Sequence, residues 1–308
     1  MFGKKYLING VKYELIKKKS IMKVVKGSKI ASEIILPAEV DGFPVQLIGE
    51  NAFNGFKELA SVTLPDSITD INNGAFGNCI NLKSIEFSNN LTFIGSGAFK
   101  KCVKLSQVTF PDNLQSIGMN AFEGCSSLSE INIPDGVTSI GGFAFHKCQN
   151  ATKLTIGKGL PELGYGVFAN CTSLAQLTIP GNVKKLYNTT GSSDGVGTFQ
   201  GCVELTEVII EEGMLTIGNS AFYGCKKLEK AVIPRSVTLV DWVDIIGRPE
   251  KLEMDRRTHA FAGCPELTIY GYKGTGAHTY SKKYSMNSLA APIPFVDMED
   301  EISVPEQL

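Results

Sequence analysis

Apolar side chains return along the chain in a pattern that repeats every 23 residues over most of its length. Within one repeat, the segment L-x-x-I-x-I alternates apolar and polar positions, which is typical of a strand with one buried face. Proline follows this segment in five repeats and cannot donate a hydrogen bond to a neighbouring strand, so we expect the strand to end there. The next segment, V-x-x-I-G, predicts a second extended stretch, and G/N-x-x-A-F-x-x-C predicts a short helical turn.

A phenylalanine and a cysteine mark the repeats. The spacings between the eight cysteines are 23, 23, 23, 23, 31, 23 and 39 residues, and each Cys lies three residues after a Phe. The cysteines are Cys79, Cys102, Cys125, Cys148, Cys171, Cys202, Cys225 and Cys264. A fixed period in the twenties predicts stacked coils, in which each coil buries its apolar side chains against its neighbours. The Phe and Cys side chains are then expected to form two columns through the stack.

The period predicts a right-handed solenoid of about nine coils over residues 51–272. Neighbouring coils would lie one strand spacing apart, about 4.8 Å, which gives a rod about 40 Å long. Before it, residues 1–50 are expected to form a β cap, because Asn9-Gly10 lies between alternating apolar residues and is a strong hairpin signal.

Beyond the solenoid, residues 273–296 are expected to form a small helical cap. The spacing of apolar side chains from Ala277 to Tyr284 predicts its helix, which would cover the last coil. The acidic tail, residues 297–308, is expected to be disordered.

The repeat resembles the BspA-like class of leucine-rich repeat, whose units read A-F-x-G-C-x-x-L-x-x-I-x-I-P-x-x-V-x-x-I-G. The similarity covers roughly residues 30–272, and residues 6–13 and 270–275 look like that family's end modules. The resemblance implies a leucine-rich-repeat solenoid with a parallel strand ladder. It also implies protein binding and adhesion at a cell surface, with host or extracellular-matrix proteins as partners. The chain itself starts without a signal-peptide pattern, which taken alone predicts a cytoplasmic protein.

Two coils carry insertions at the same point of the repeat, residues 187–197 and 241–258. Insertions in one register predict loops on one edge, which is often the binding face. The longer insertion holds the only Trp, and Trp and Arg are enriched at binding hot spots. Together with the strand face beside them, the insertions give the candidate partner-binding residues Asn188, Asp194, Glu207, Ile209, Lys230, Val232, Trp242, Arg248, Arg256 and Arg257. The alternative is that Trp242 folds back and covers its own insertion.

The outward strand positions are polar in most coils and become apolar at Ile209 and Val232. These two residues lie in the coils next to the long insertion. A patch of Ile209, Val232, Trp242 and the Arg pair is therefore the predicted contact site. The alternative is a solvated face whose residues only suit a β-strand.

Candidate catalytic and metal-binding residues have simpler explanations. One Cys per coil, all pointing the same way, suits neither a disulfide nor tetrahedral zinc and predicts small buried apolar groups. His146 lies two residues before Cys148, but a thiol in a buried column is inert. Residues 191–195 spell G-x-S-x-G, with Ser193 as the nucleophile, yet the strained strand-to-helix turn of a hydrolase is not expected there. The sequence therefore predicts no enzyme and no cofactor.

Charge and hydropathy exclude two further classes. The 30 basic and 31 acidic residues give a net charge of −1, without the basic excess that nucleic-acid binding usually needs. No run approaches the roughly 18 apolar residues of a membrane span. We therefore predict a monomeric, non-catalytic protein-interaction module. The alternatives are a structural assembly rod or a repeat segment of a larger surface protein and, remotely, a hydrolase at Ser193.

Overall fold

The computed structural model describes residues 4–28, 31–187, 196–242, 259–284 and 292–302. The chain forms two compact units, Met1–Gly159 and Leu160–Leu308. The predicted solenoid, residues 51–272, contributes coils to both units. Each unit contains its own stacked coils, and two sides of the coils supply short strands to parallel ladders.

The described residues of the first unit form short strands, because each side of a coil is only a few residues long. These strands are β1 (Lys5–Ile8), β2 (Val11–Ile16), β3 (Ile21–Gly27), β4 (Glu33–Ile35), β5 (Glu39–Val40), β6 (Phe43–Ile48), β7 (Ser61–Thr63), β8 (Asp70–Ile71), β9 (Ser84–Glu86), β10 (Phe93–Ile94), β11 (Ser116–Ile117), β12 (Glu130–Asn132), β13 (Ser139–Ile140) and β14 (Lys153–Thr155).

An antiparallel sheet begins the first unit. The predicted hairpin is present between β1 and β2, where Asn9 and Gly10 both have positive φ, at 48° and 79°. Strand β3 pairs antiparallel with β2 on one side and parallel with β6 on the other. The hairpin therefore continues directly into the coils.

The V-x-x-I-G segments form the more regular ladder of this unit. Strands β6, β8, β10, β11 and β13 pair in parallel, with each residue opposite its equivalent 23 residues on. The L-x-x-I-x-I segments form two shorter ladders, β4-β7-β9 and β12-β14. No strand forms over residues 107–109 between them, although the sequence predicts one. This interruption lies where Phe87 and Phe110 replace the aliphatic residue of the repeat and stack with centroids 5.9 Å apart.

The A-F-x-x-C segments consist of separate turns rather than a continuous helix. The Cys79 N–H donates to the Phe76 carbonyl at 3.2 Å, which is the spacing of a turn. Gly74 and Asn78 have φ of 62° and 58°, which no right-handed helix contains. The remaining turn amides bond to the next coil, as the Phe76 N–H does with the Ala98 carbonyl at 2.7 Å.

Stacked phenylalanine rings fill the core of each unit. In the first unit, rings from consecutive coils have centroids 5.0–5.2 Å apart, and Phe99 and Phe122 are separated by 5.0 Å. In the second unit the separations are 5.0–5.5 Å. All eight cysteines are buried beside the rings. The in-register stacking predicted from the 23-residue period is confirmed within each unit.

The described residues of the second unit repeat the same arrangement and add two helices. Its elements are β15 (Glu162–Leu163), β16 (Gln176–Ile179), β17 (Lys185–Leu186), β18 (Glu207–Ile210), β19 (Thr216–Gly218), β20 (Lys230–Val232), β21 (Leu239–Trp242), β22 (Thr268–Gly271), α1 (Gly276–Lys283), β23 (Phe295–Asp297) and α2 (Met298–Ile302). One ladder has the order β16-β18-β20-β22-β23, and the other has the order β15-β17-β19-β21. Helix α1 packs against β21 and β22.

The prediction that the chain is disordered from residue 297 is wrong for residues 297–302. Strand β23 pairs in parallel with β22, and α2 follows it. The acidic side chains of this segment neutralise cations of the last coil, because Lys273 lies 2.9 Å from Asp297 and 3.0 Å from Asp300, and Arg235 pairs with Glu299. Residues 303–308 lie outside the described residues.

Candidate functional site

The outward side chains of β16, β18, β20, β22 and β23 form one surface, which we call the ladder face. Alternation along each strand turns Val208, Ala231 and Ile269 into the core, where they are buried. The residues on either side of them therefore point outward. The pairing register places one outward residue of each strand in a single row, namely Thr178, Ile209, Val232, Tyr270 and Val296.

Four consecutive members of this row are apolar or aromatic. Ile209 is 38% exposed, and Val232, Tyr270 and Val296 are half-buried. Pairs of aromatic and β-branched side chains directly across strands stabilise a sheet, which explains why the row is compatible with a stable ladder. A contiguous exposed apolar row is also a typical feature of interaction sites.

A polar row borders the apolar one. Its members are Gln176, Glu207, Lys230 and Thr268. The Lys230 ammonium lies 3.0 Å from a Glu207 carboxylate oxygen and 5.3 Å from the centroid of the Tyr270 ring. An ion pair and a cation–π contact therefore hold this lysine along the edge of the apolar row.

The structure brings together only some of the predicted site residues. Glu207, Ile209, Lys230 and Val232 lie on the ladder face. The backbone of Trp242 belongs to β21, which pairs with β19 in the other ladder, so Trp242 does not share a sheet with Ile209 and Val232. The other predicted site residues lie outside the described residues: Asn188, Asp194, Arg248, Arg256 and Arg257. Ser193 lies outside them as well.

Two members of the ladder face, Tyr270 and Val296, were not predicted from the sequence. Tyr270 was assigned to an end module and Val296 to the end of the C-terminal cap, yet both continue the row of Ile209 and Val232. The alternation in Thr268-Ile269-Tyr270 is a signal that reveals Tyr270, because it matches Lys230-Ala231-Val232 of the previous coil. Val296 has no comparable signal, since its strand is not part of a repeat.

The cysteine column has the properties of a structural element. The Cys125 Sγ is buried and donates to the Phe99 carbonyl of the preceding coil at 3.2 Å. Burial raises the pKa of Cys125 to about 12, which keeps it in the unreactive thiol form. Cys148 is arranged in the same way, with its Sγ 3.4 Å from the Phe122 carbonyl.

A buried histidine joins helix α1 to the last coil. The Phe261 N–H donates to the Tyr280 oxygen at 3.0 Å, and the Tyr280 hydroxyl is paired with Nδ1 of His259. The His259 ring also stacks on Tyr284, with centroids 4.4 Å apart. Burial, with a smaller effect from the charge of Lys283, lowers the pKa of His259 to about 4. His259 is therefore neutral at pH 7 and packs as part of the cap.

Two further features are absent from the described residues. No group of three or more His, Cys, Asp or Glu side chains there is arranged to hold a metal ion. Neither helix in this part of the chain has the length and hydropathy of a membrane-spanning segment.

Comparison with known proteins places these features in a family. The family model described as the BspA-type leucine-rich repeat region matches the chain in six copies, over residues 31–126, 92–193 and 115–242. No protein of curated function matches the chain.

Among solved structures, a leucine-rich repeat protein from Bacteroides ovatus is similar over 86% of this chain and 70% of its own, with 24% identity and a TM-score of 0.62. A leucine-rich repeat protein from T. pallidum is similar over 73% of this chain and 91% of its own, with 29% identity and a TM-score of 0.54. Because the family matches together span more than half of the residues, this chain belongs to the BspA-type leucine-rich repeat family.

Proposed function

We propose that this chain is a non-catalytic protein-interaction module that binds a protein partner through the ladder face of its second unit. The observation that supports this proposal is the row of Ile209, Val232, Tyr270 and Val296 on consecutive strands. The row presents aliphatic and aromatic area with a charged border. Tyrosine at the centre of such a surface supplies large contact area and a polar group.

The rigidity of the face favours binding. Each strand is fixed by its neighbours, and Lys230 is held by Glu207 and Tyr270. Side chains that are already ordered lose less conformational entropy when a partner binds. The ladder face therefore suits a partner that contacts a flat, preformed surface.

The two insertions extend the proposed interface. They begin where β17 and β21 end, and these strands lie two places apart in one ladder, about 10 Å. We propose that the loops act beside the ladder face, with Asn188 and Asp194 on the shorter loop. Trp242, Arg248, Arg256 and Arg257 would supply contacts from the longer one. In line with the family resemblance, the proposed partner is a host or extracellular-matrix protein.

A charge placed on the ladder face tests the proposal. In the Ile209→Asp/Val232→Asp variant, two carboxylates replace the centre of the apolar row, and capture of protein partners from host surface extracts should be lost. The control is Ile35→Asp on β4, because Ile35 is 80% exposed and occupies the equivalent outward position in the first unit. Quantitative mass spectrometry of the captured proteins should show the same set for the control and for the unmodified chain.

Three results would contradict parts of this proposal. Capture that survives Ile209→Asp/Val232→Asp would exclude the ladder face as the binding site. Capture that survives deletion of residues 241–258 would exclude the long insertion. Filaments or rings that grow with protein concentration in light scattering would favour an assembly rod over an interaction module.

A further inference from the structure

The N-terminal sheet concentrates positive charge, because residues 4–28 hold eight of the 17 lysines of the first unit. Residues 4–28 contain eight lysines and one glutamate, a net charge of +7, so the rest of the chain carries −8. The lysines are Lys4, Lys5, Lys12, Lys17, Lys18, Lys19, Lys23 and Lys26. The near-zero net charge of the whole chain therefore conceals a strongly basic segment.

The strand register places three of these lysines, Lys12, Lys23 and Lys26, on one side of the sheet. Val11, Tyr13 and Val24 point into the core and are buried. The alternate positions point outward. There Lys12 lies directly opposite Lys26 on the neighbouring strand, and Glu14 lies directly opposite Lys23. The turn between β2 and β3 adds three exposed lysines. We call this set the basic face, and it comprises Lys12, Lys17, Lys18, Lys19, Lys23 and Lys26.

The fold itself gives no reason for the basic face. No carboxylate of a described residue forms an ion pair with any of its six lysines. Lys12 and Lys26 stand directly opposite each other, and like charges in that position destabilise a sheet. Lysine also protects exposed sheet edges, but β2 and β3 are interior strands, so edge protection explains only Lys5 of β1.

We propose that the basic face docks on the surface of a bilayer that contains anionic lipids. Six ammonium groups spread over a sheet face and its turn match a plane of phosphate headgroups, whereas a linear polyanion would meet only one row of them. Leu7 pairs with Lys12 on the same face and is 63% exposed, in a position to enter the headgroup region. This inference concerns a different surface from the ladder face and does not depend on it.

Other anions fit the face less well. Tyr13 is buried on the opposite side of the sheet, and the outward positions carry no aromatic ring on which single-stranded bases could stack. The cationic groups are all lysines, which attract phosphate as point charges without the paired geometry that arginine uses to read bases.

Vesicle co-sedimentation of the full chain tests the proposal. We expect binding to phosphatidylcholine vesicles that contain about 30 mol% phosphatidylglycerol, and none to pure phosphatidylcholine. Binding should weaken steeply between about 0.1 and 0.5 M NaCl. The Lys12→Thr/Lys23→Thr/Lys26→Thr variant should bind roughly a hundredfold more weakly.

The matched control is Lys57→Thr/Lys83→Thr/Lys104→Thr, which removes the same charge from exposed positions on the coils of the first unit. It should change binding less than about threefold. Thermal unfolding separates binding from folding, because relief of the Lys12–Lys26 repulsion should leave the basic-face variant with a Tm at or above that of the unmodified chain. Leu7→Thr should weaken binding about tenfold.

Several outcomes would overturn the proposal. One is the absence of binding to the anionic vesicles, and another is an equal loss in the control variant. A third is tight binding of soluble polyphosphate or duplex DNA by a chain that does not bind the vesicles. This result would assign the basic face to a polymeric anion instead.

Discussion

At the residue scale, the glycine that ends most V-x-x-I-G segments sets how closely neighbouring coils approach. A Cβ on Gly118 would lie 2.5 Å from the backbone nitrogen of Ser96, and one on Gly141 would lie 2.3 Å from that of Met119. Backbone atoms cannot move aside as the end of a side chain can. At Gly118 and Gly141 glycine is therefore required by contact between coils and not by a turn.

Alanine at this position should separate the coils. We expect Gly118→Ala to lower the free energy of unfolding by about 3 kcal/mol, because the added methyl overlaps backbone atoms. The control is Gly55→Ala, where φ is 75° and the new Cβ would meet no atom within 4 Å. The control should lower the free energy of unfolding by only about 1 kcal/mol, because alanine is strained in the left-handed conformation. Urea unfolding measures both, and equal losses would contradict the explanation by coil contact.

The burial of the thiols leads to a second prediction at this scale. Burial raises the pKa values of Cys79, Cys125 and Cys202 to about 12, so iodoacetamide at about pH 8 should not modify these residues in the folded chain. Modification followed by mass spectrometry should rise only with the unfolded fraction in urea. Rapid labelling of Cys125 in the folded chain would contradict its burial. Fully unfolded protein provides the control for complete labelling.

The sequence predicts the positions of these residues better than their roles. The fixed spacing of Phe99, Phe122 and Cys125 was enough to predict two buried columns. The hydrogen bond from the Cys125 thiol to the Phe99 carbonyl depends on the distance between coils, which the repeat alone does not give. The overlap that a Cβ on Gly118 would cause also depends on the distance between coils.

At the scale of an element, helix α1 depends on a neutral histidine. The pKa of His259 is lowered to about 4 from an ordinary value of 6.5. The unfolded chain therefore binds a proton more readily than the folded chain between these values, and stability falls as pH drops from about 6.5 to about 4. The loss should reach about 3 kcal/mol and then stop, because both states are protonated below pH 4.

A histidine substitution isolates this effect. His259→Phe keeps an aromatic ring against Tyr284 but cannot titrate, so its unfolding free energy should fall less between about pH 7 and pH 4.5 than that of the unmodified chain. Tyr284→Phe alters the same cluster while it keeps His259, and it should keep the original pH dependence. Urea unfolding at the two pH values measures both variants. An unchanged dependence in His259→Phe would assign the acid sensitivity to other groups.

The position of β23 leads to a prediction about the end of the second unit. It covers the edge of β22, and an uncovered parallel edge is free to pair with other chains. A chain that ends at residue 290 should therefore self-associate as its concentration rises, as measured by sedimentation velocity. A chain that ends at Ile302 retains β23 and α2 and should behave like the full chain. Equal behaviour of the two truncations would show that β23 does not protect this edge.

The sequence predicted repeating elements well and single elements poorly. Strands β8, β10 and β11 follow from a pattern that recurs. Strand β23 occurs once, lies outside the repeat, and ends in acidic residues that suggest disorder. It is held by its pairing with β22 and by the contacts of Asp297 and Asp300 with Lys273, and no local pattern encodes these contacts.

At the scale of the whole molecule, charge is distributed unevenly although it sums to −1. We expect the full chain to be retained on a cation exchanger at about pH 8, because the basic face contacts the resin independently of the net charge. The basic-face variant Lys12→Thr/Lys23→Thr/Lys26→Thr should flow through, and the Lys57→Thr/Lys83→Thr/Lys104→Thr control should be retained. Equal elution of the two variants would contradict a local patch.

The candidate binding surface was partly predictable because, like the coils, part of it occupies a repeating position in the sequence. Ile209 and Val232 depart from a polar pattern at a defined repeat position, so the sequence identified them. The grouping with Trp242 depended on which of the two ladders continues into the long insertion, and this follows from the pairing of β21 with β19. The basic face was missed because the charge was averaged over the whole chain.

The pairing of β23 with β22 also fixes where this protein can gain length during evolution. A duplicated coil placed before β22 would find a ladder strand on each side of it. A duplicated coil placed after β22 would compete with β23 for the same backbone groups and would leave Lys273 and Arg235 without their acidic neighbours. Relatives with more coils are therefore expected to differ by copies inserted within the array, while the terminal segment equivalent to residues 295–302 keeps its place beside the final coil.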